Sequence, residues 1–234
     1  MRNLLFVVLL TLGVSAVATA QSSVTVGEQK TVSKPSRDHF LIQLSNDRWT
    51  NVPDSVQLRN GGRGVGLYLM YDFPIKNSNF SFGAGLGYRF SNIYLKRQSM
   101  ELDSRTDKVV FTAADSAIKG NKYVSHFLEV PLELRYFANK ENRNRGFKFA
   151  IGAKIGYTGL GGAYYKEKAS ISGKYIGHVT KTNRFSQNWR LAPSARIGWG
   201  NFSVFAEYTV TPIFKTGMAP EVRPFAAGIV ISGL

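Results

Sequence analysis

The segment from Phe80 to Phe90, FSFGAGLGYRF, divides its side chains between two different surfaces with a period of two. Phe80, Phe82, Ala84, Leu86, Tyr88 and Phe90 share one face of an extended strand, and Ser81, Gly83, Gly85, Gly87 and Arg89 share the other. A broad apolar face with aromatics at both ends suits contact with lipid. The small, polar face suits the crowded interior of a barrel.

The same alternation recurs in seven further segments. In the first two, Phe40, Ile42 and Leu44 alternate with Leu41, Gln43 and Ser45, and Val65 to Phe73 alternates with Gly66, Tyr68, Met70 and Asp72. The fourth, Tyr123 to Phe137, sets Leu128, Val130, Leu132, Leu134 and Tyr136 against Ser125, Glu129, Glu133 and Arg135. The fifth, Phe147 to Thr158, turns Lys148 and Lys154 away from its apolar face. The sixth does the same with Arg190 and Arg196 against Trp189 to Trp199, and the seventh with Glu207 against Phe202 to Val210. The last runs from about Phe225 to Ser232.

The connections alternate in length. Thr50 to Gly62, Gln98 to Lys122, Gly159 to Asn188 and Thr211 to Pro224 are long, whereas Pro74 to Asn79, Asn139 to Gly146 and Gly200-Asn201 are short. An even strand count with this asymmetry predicts an all-β fold: an eight-stranded antiparallel transmembrane up-and-down β-barrel, its short turns and termini periplasmic. A soluble sandwich or lipocalin-like barrel also alternates, but buries its apolar face. Aromatics at strand ends, glycines on the polar face and outward residues that stay apolar in all eight segments argue for the membrane barrel.

The first residues form a separate unit. Arg2, the apolar run Leu4 to Leu12 and the small residues Ala18-Thr19-Ala20 read as a signal peptide over 1–20, too short to anchor as a helix. Residues 21–37, polar and containing Pro35, read as a flexible periplasmic leader, with the barrel over 38–234. Cysteine is absent, so disulfides and a lipidated cysteine are excluded, and three scattered histidines make a poor metal set. Without Arg2 the chain has 29 basic and 15 acidic residues. The expected counter-charges are outer-membrane lipid and lipopolysaccharide or another anionic surface. No nucleic-acid motif is present.

The segments FLEVPLELRYF (Phe127 to Phe137), GFKFAIGAKIGYTG (Gly146 to Gly159), RIGWGNFSVFAEYTVTPIFKTG (Arg196 to Gly217) and the closing RPFAAGIVISGL resemble the "porin family" outer-membrane β-barrel domain of Bacteroidota-type bacteria. The resemblance covers essentially the whole mature chain and implies an outer-membrane location. It departs at the C-terminus, where Leu234 stands in place of the common aromatic. Relatives include PorT-type secretion-system parts, so the family's name does not by itself imply conduction.

Strand parity points Asp72, Arg89, Glu129, Glu133, Arg135, Lys148, Lys154, Arg190, Arg196 and Glu207 inward. Eight strands enclose only enough room for side chains, which predicts a charge network filling the lumen rather than an open channel. A narrow solute or ion pore is the alternative. A component of a secretion or assembly complex is a third reading. Ser125 and His126 are neighbours on a strand and point to opposite faces, so no catalytic pair is expected, and no cofactor or metal is called for. The glycine-rich pieces open no helix and read as loop ends and lumen space. In the longest loop, Tyr164, Tyr165, Lys166, Lys168, Lys174, Tyr175, Lys181 and Arg184 mix bases with aromatics against Glu167 alone. This composition suits an outward-facing surface for a protein or glycan partner.

Overall fold

Strands dominate the computed structural model, which describes residues 38–102, 107–115, 118–139, 145–158, 163–171, 174–181 and 183–233. The signal peptide and leader expected over 1–37 lie outside the described residues. In chain order the strands are β1 (Asp38–Thr50), β2 (Gly62–Pro74), β3 (Phe80–Leu95), β4 (Gln98–Glu101), β5 (Val110–Ala113) and β6 (Ile118–Phe137). There follow β7 (Phe147–Tyr157), β8 (Ala163–Ile171), β9 (Lys174–Lys181), β10 (Trp189–Trp199), β11 (Phe202–Tyr208) and β12 (Arg223–Ser232).

Eight of these close into an antiparallel barrel in the order β3, β2, β1, β12, β11, β10, β7, β6, with β6 returning to β3. The alternation expected from the sequence is what the closed sheet uses. Exposed Val65, Leu67, Leu69, Tyr71 and Phe73 on β2 alternate with buried inward residues, and the same holds for Phe147 to Tyr157 on β7. In water such a surface would be costly; Leu69 alone keeps 67% of its area exposed.

Aromatics flank the aliphatic belt on both sides. Phe80 meets Tyr136 edge-on at 5.2 Å, and Trp199 and Phe202 face each other beside the turn at Gly200, whose φ of 60° suits glycine there. At the other end Tyr157 lies 4.9 Å from Trp189, and Tyr208 pairs with Phe225.

The two longest connections depart from the sequence reading, which treated them as loops. Gln98 to Lys122 contains the β4–β5 hairpin and the first residues of β6, which begins at Ile118 rather than near Tyr123. Gly159 to Asn188 contains the β8–β9 hairpin. β6 pairs with β7 from Leu128 to Phe137 and with β8 from Ile118 to Ser125, so one strand belongs to the barrel and then to a sheet that rises beyond it. β3 accompanies it as far as Leu95, opposite Asn121. These segments lack a continuous aliphatic stripe because their inner face packs on other connections, not on lipid.

That packing forms a second core at the long-connection end. Trp49, Ile93, Leu95, Tyr123, Tyr165, Phe185 and Phe214 are all buried there. Trp49 stands edge-on to Tyr123 at 5.6 Å and to Phe214 at 5.9 Å. The barrel is therefore capped by its own connections.

Candidate functional site

The lumen holds the charged residues in two groups separated by an apolar layer of Leu41, Tyr68, Met70, Phe205 and Val230. Each side chain is there because of strand parity. An odd position on β3, β6 or β11 and an even one on β7 or β10 faces inward.

In the group nearer the cap, three bases meet three acids. Arg89 pairs with Asp47 at 2.9 Å and with Glu207 at 2.9 Å. Arg190 pairs with Glu207 at 2.6 Å and with Glu129, and its Nε donates to Thr209 Oγ1 at 3.1 Å. Lys154 reaches Glu207 at 2.8 Å and Gln43 Oε1 at 2.6 Å. The Tyr68 hydroxyl donates to Glu129 Oε2 at 2.7 Å. Asp47 also accepts from the hydroxyls of Ser45 and Ser91, both at 2.5 Å.

In the group nearer the short turns, Arg135 bridges Asp72 at 2.6 Å and Glu133 at 2.7 Å, and Arg196 joins Glu133 at 2.7 Å. Lys148 Nζ donates to Ser232 Oγ at 2.6 Å. Gly83 gives Arg135 its room: a Cβ on Gly83 would lie 2.6 Å from Arg135 Nε. Between the two groups, a cavity of about 20 Å³ beside Gln43, Met70, Glu133 and Lys154 is water-sized.

All ten residues assigned to the lumen from parity stand on the inward face, and all but Arg196, which is partly buried, are buried. Asp47, Tyr68 and Gln43 belong to the same network although the sequence reading named none of them as site residues. For Asp47 the signal was available, since it continues the inward series Leu41, Gln43, Ser45 once β1 is carried on to Thr50. The partners of Tyr68 and Gln43 depend on contacts across the bore, which local pattern does not carry.

The residues proposed for outward binding divide. Tyr165 is buried in the cap, where burial raises its phenol above the ordinary value and its hydroxyl donates to Glu167 at 3.2 Å. Its ring is thus withdrawn from the outer surface, a correction to the sequence reading. Tyr164 lies on the outside, stacked on His126 at 5.5 Å, and Phe90 stands edge-on to that imidazole at 4.4 Å. Lys166 is half-buried, and Lys168 and Lys181 are exposed. Arg184 is exposed and pairs with Asp107 at 3.2 Å. The side chains of Lys174 and Tyr175 lie outside the described part of the structure. Ser125 and His126 point to opposite sides of β6: Ser125 lies opposite Ser91 on the inward face, and His126 meets Tyr88 Oη through Nδ1 at 3.2 Å.

The outer membrane protein beta-barrel domain family matches residues 8–215. The chain belongs to this family. It is thus an outer-membrane β-barrel protein of bacteria, and its exposed aliphatic belt is the surface that meets lipid. No curated protein matches the sequence. Among solved structures it is similar to the crystal structure of Ail, the attachment invasion locus protein of Yersinia pestis, with 15% identity, a TM-score of 0.37, and coverage of 84% of this chain and 97% of that one. Membership in the outer membrane protein beta-barrel domain family accounts for the closed sheet. In this chain the bore is filled and a folded cap stands above it.

Proposed function

We propose that this protein is a non-enzymatic envelope barrel, closed to solutes, that holds a folded extracellular platform for binding. The observation that carries this reading is the obstruction of the bore at several levels. Arg135 and Arg196 reach into it to Asp72 and Glu133, Arg89 ties across it to Glu207, which Arg190 of the neighbouring strand also holds, and Trp49, Tyr123 and Phe214 close the mouth. Charges confined in a low-dielectric space hold their partners tightly, so the network works as an internal brace. Short turns on the periplasmic side and long connections outside are the habit of such barrels, which supports a cap on the cell surface.

The basic and aromatic residues of the long connections support a partner with anionic character: lipid, lipopolysaccharide, a glycan or an acidic protein surface. Within the family, the segments Phe127 to Phe137 and Arg196 to Gly217 support a Bacteroidota-type, PorT-like placement. Planar-bilayer recording of purified protein tests the closed bore. The expected trace is silent, and reproducible single-channel steps would return the narrow-pore reading. Retention of an envelope partner tests the platform. Because Tyr165 is part of the cap's core, exchange of outer residues such as Lys166 and Lys181 is a cleaner probe than deletion of the hairpin.

A further inference from the structure

Where the sheet of β3, β6, β8 and β9 rises past the lipid belt, its outer side gathers bases in register. Lys181 lies opposite Tyr164, Tyr164 opposite Val124, Val124 opposite Asn92 and Asn92 opposite Arg63. One step farther from the belt, Val179 lies opposite Lys166, Lys166 opposite Lys122 and Lys122 opposite Tyr94. Directly opposed residues project on the same side of a sheet, and the stacking of Tyr164 on His126, which the exposed belt residue Phe90 meets edge-on, fixes that side as the outer one. None of the positions in these two rows is acidic.

Lys122 and Lys166 are thus like charges placed face to face, an arrangement that costs a sheet stability. Lys122 Nζ donates to Asn92 Oδ1 at 2.9 Å, and the charged neighbours that act on it, Lys166 and Lys168, have its own sign. The contrast with the lumen is direct, since there the bases near the cap are matched by carboxylates. A surface that tolerates this imbalance is suited to a counter-charge from outside the chain.

A groove of about 530 Å³ opens beside the same rows, lined by Arg59, Asn60, Tyr94, Lys96, Arg97 and Asn121 among others. Backbone bonds from Arg59 N to Tyr94 O and from Lys96 N to Gln57 O, both 2.9 Å, hold its two walls together. Its outer side chains suit a sugar: the Asn60 amide and the Arg59 and Arg97 guanidinium groups to bond hydroxyls, and the Tyr94 ring to stack on.

We propose that this outer face binds the phosphorylated headgroup of a glycolipid in the surrounding leaflet, phosphate against Lys122, Lys166 and Lys181 and sugar in the groove. Position selects lipid over a soluble anion. Lys181 shares a row with Tyr164, whose ring stack reaches Phe90 at the top of the lipid-facing belt, and the Lys122–Lys166 row follows two residues on. At about 3.3 Å per residue the lysines stand at headgroup height. Ammonium groups serve there as point charges for phosphate. The proposal rests on the reading of the capped barrel as a binding protein and adds a ligand class and a position to it.

The test uses the full protein in phosphatidylcholine nanodiscs doped with a diphosphorylated glucosamine glycolipid, followed by mild detergent extraction and assay of the lipid that stays bound. Wild type should retain the glycolipid. The variant K122Q/K166Q/K181Q should retain it about tenfold less or worse, while K122R/K166R/K181R should keep it. The same lipid stripped of phosphate should not be retained, and excess inorganic phosphate should not displace the intact lipid. Equal retention by the glutamine variant, retention of the stripped lipid, or displacement by inorganic phosphate overturns the proposal. Folding is followed by the heat-dependent shift on detergent gels, and Lys122→Glu carries the same comparison should the triple variant not fold. A silent bilayer combined with no lipid retention removes this proposal and leaves the closed barrel standing.

Discussion

Glu207 Oε2 accepts from Lys154 Nζ at 2.8 Å while its Oε1 meets Arg190 at 2.6 Å and Arg89 at 2.9 Å, so side chains from β3, β7 and β10 converge on one carboxylate of β11. Glu207→Gln keeps the shape and removes the shared counter-charge. The expected cost is about 3–5 kcal/mol, the usual scale for breaking a buried ion pair from one side. Lys154→Met should cost less, since it leaves Glu207 with two guanidinium groups. Combined with Glu207→Gln it should recover part of the loss, because it removes a base that has lost its partner. Urea unfolding of the reconstituted barrel measures all three, and strict additivity would show that the residues are not coupled.

The cap gives a second prediction. Trp49 joins β1 to Tyr123 of β6 and to Phe214 of the last connection. Trp49→Ala should loosen the cap by about 3–5 kcal/mol while leaving the belt intact. Trypsin should then cut faster at exposed connection sites such as Arg184, with the heat-dependent gel shift retained. Loss of the gel shift would mean that the cap and barrel fold as one unit.

These two sites show how far the sequence reaches. The barrel was legible because lipid imposes one rule on every strand: outward residues are apolar, inward ones small or polar. Ten lumen charges followed from that parity alone. Asp47 did not, because the aliphatic series of β1 ends at Leu44 and the reading of the strand was not carried past Ser45, where no outward apolar residue continues the pattern until Trp49 breaks the parity. The β8–β9 hairpin was hidden for a related reason. Its inner face has Tyr165 packed with Phe185, Trp49 and Phe214, residues far apart in the chain, so its stability comes from contacts that no local period records. The pairing of Lys122 with Lys166 was likewise out of reach, since one lay in a connection read as unstructured and the other in a second such connection.

Gly83 gives a prediction about lumen space. A methyl group there would lie 2.6 Å from Arg135 Nε and 2.8 Å from Cζ, against a guanidinium already held by Asp72 and Glu133. Gly83→Ala should therefore destabilise the barrel by about 1–3 kcal/mol, the usual range for overpacking. Arg135→Lys in the same chain should relieve the clash, so the double variant should be more stable than the sum of the single changes. A single Gly83→Ala with unchanged unfolding would show that Arg135 has another resting place.

The belt gives the most direct test of which solvent surrounds the barrel. Leu69 stands midway along the outward series Val65, Leu67, Leu69, Tyr71 and Phe73, whereas Phe202 borders the Gly200-Asn201 turn. Both are largely exposed, at 67% and 65%, so neither substitution disturbs the interior. In water, arginine at either site would be nearly neutral, as expected of exposed surface positions. In a bilayer the costs separate with depth: about 2–4 kcal/mol at the midplane and about 0–1 kcal/mol near the interface. Leu69→Arg should therefore lower the stability of the reconstituted barrel far more than Phe202→Arg. Equal, small effects in lipid vesicles would contradict the placement of Leu69 at the centre of the hydrocarbon layer.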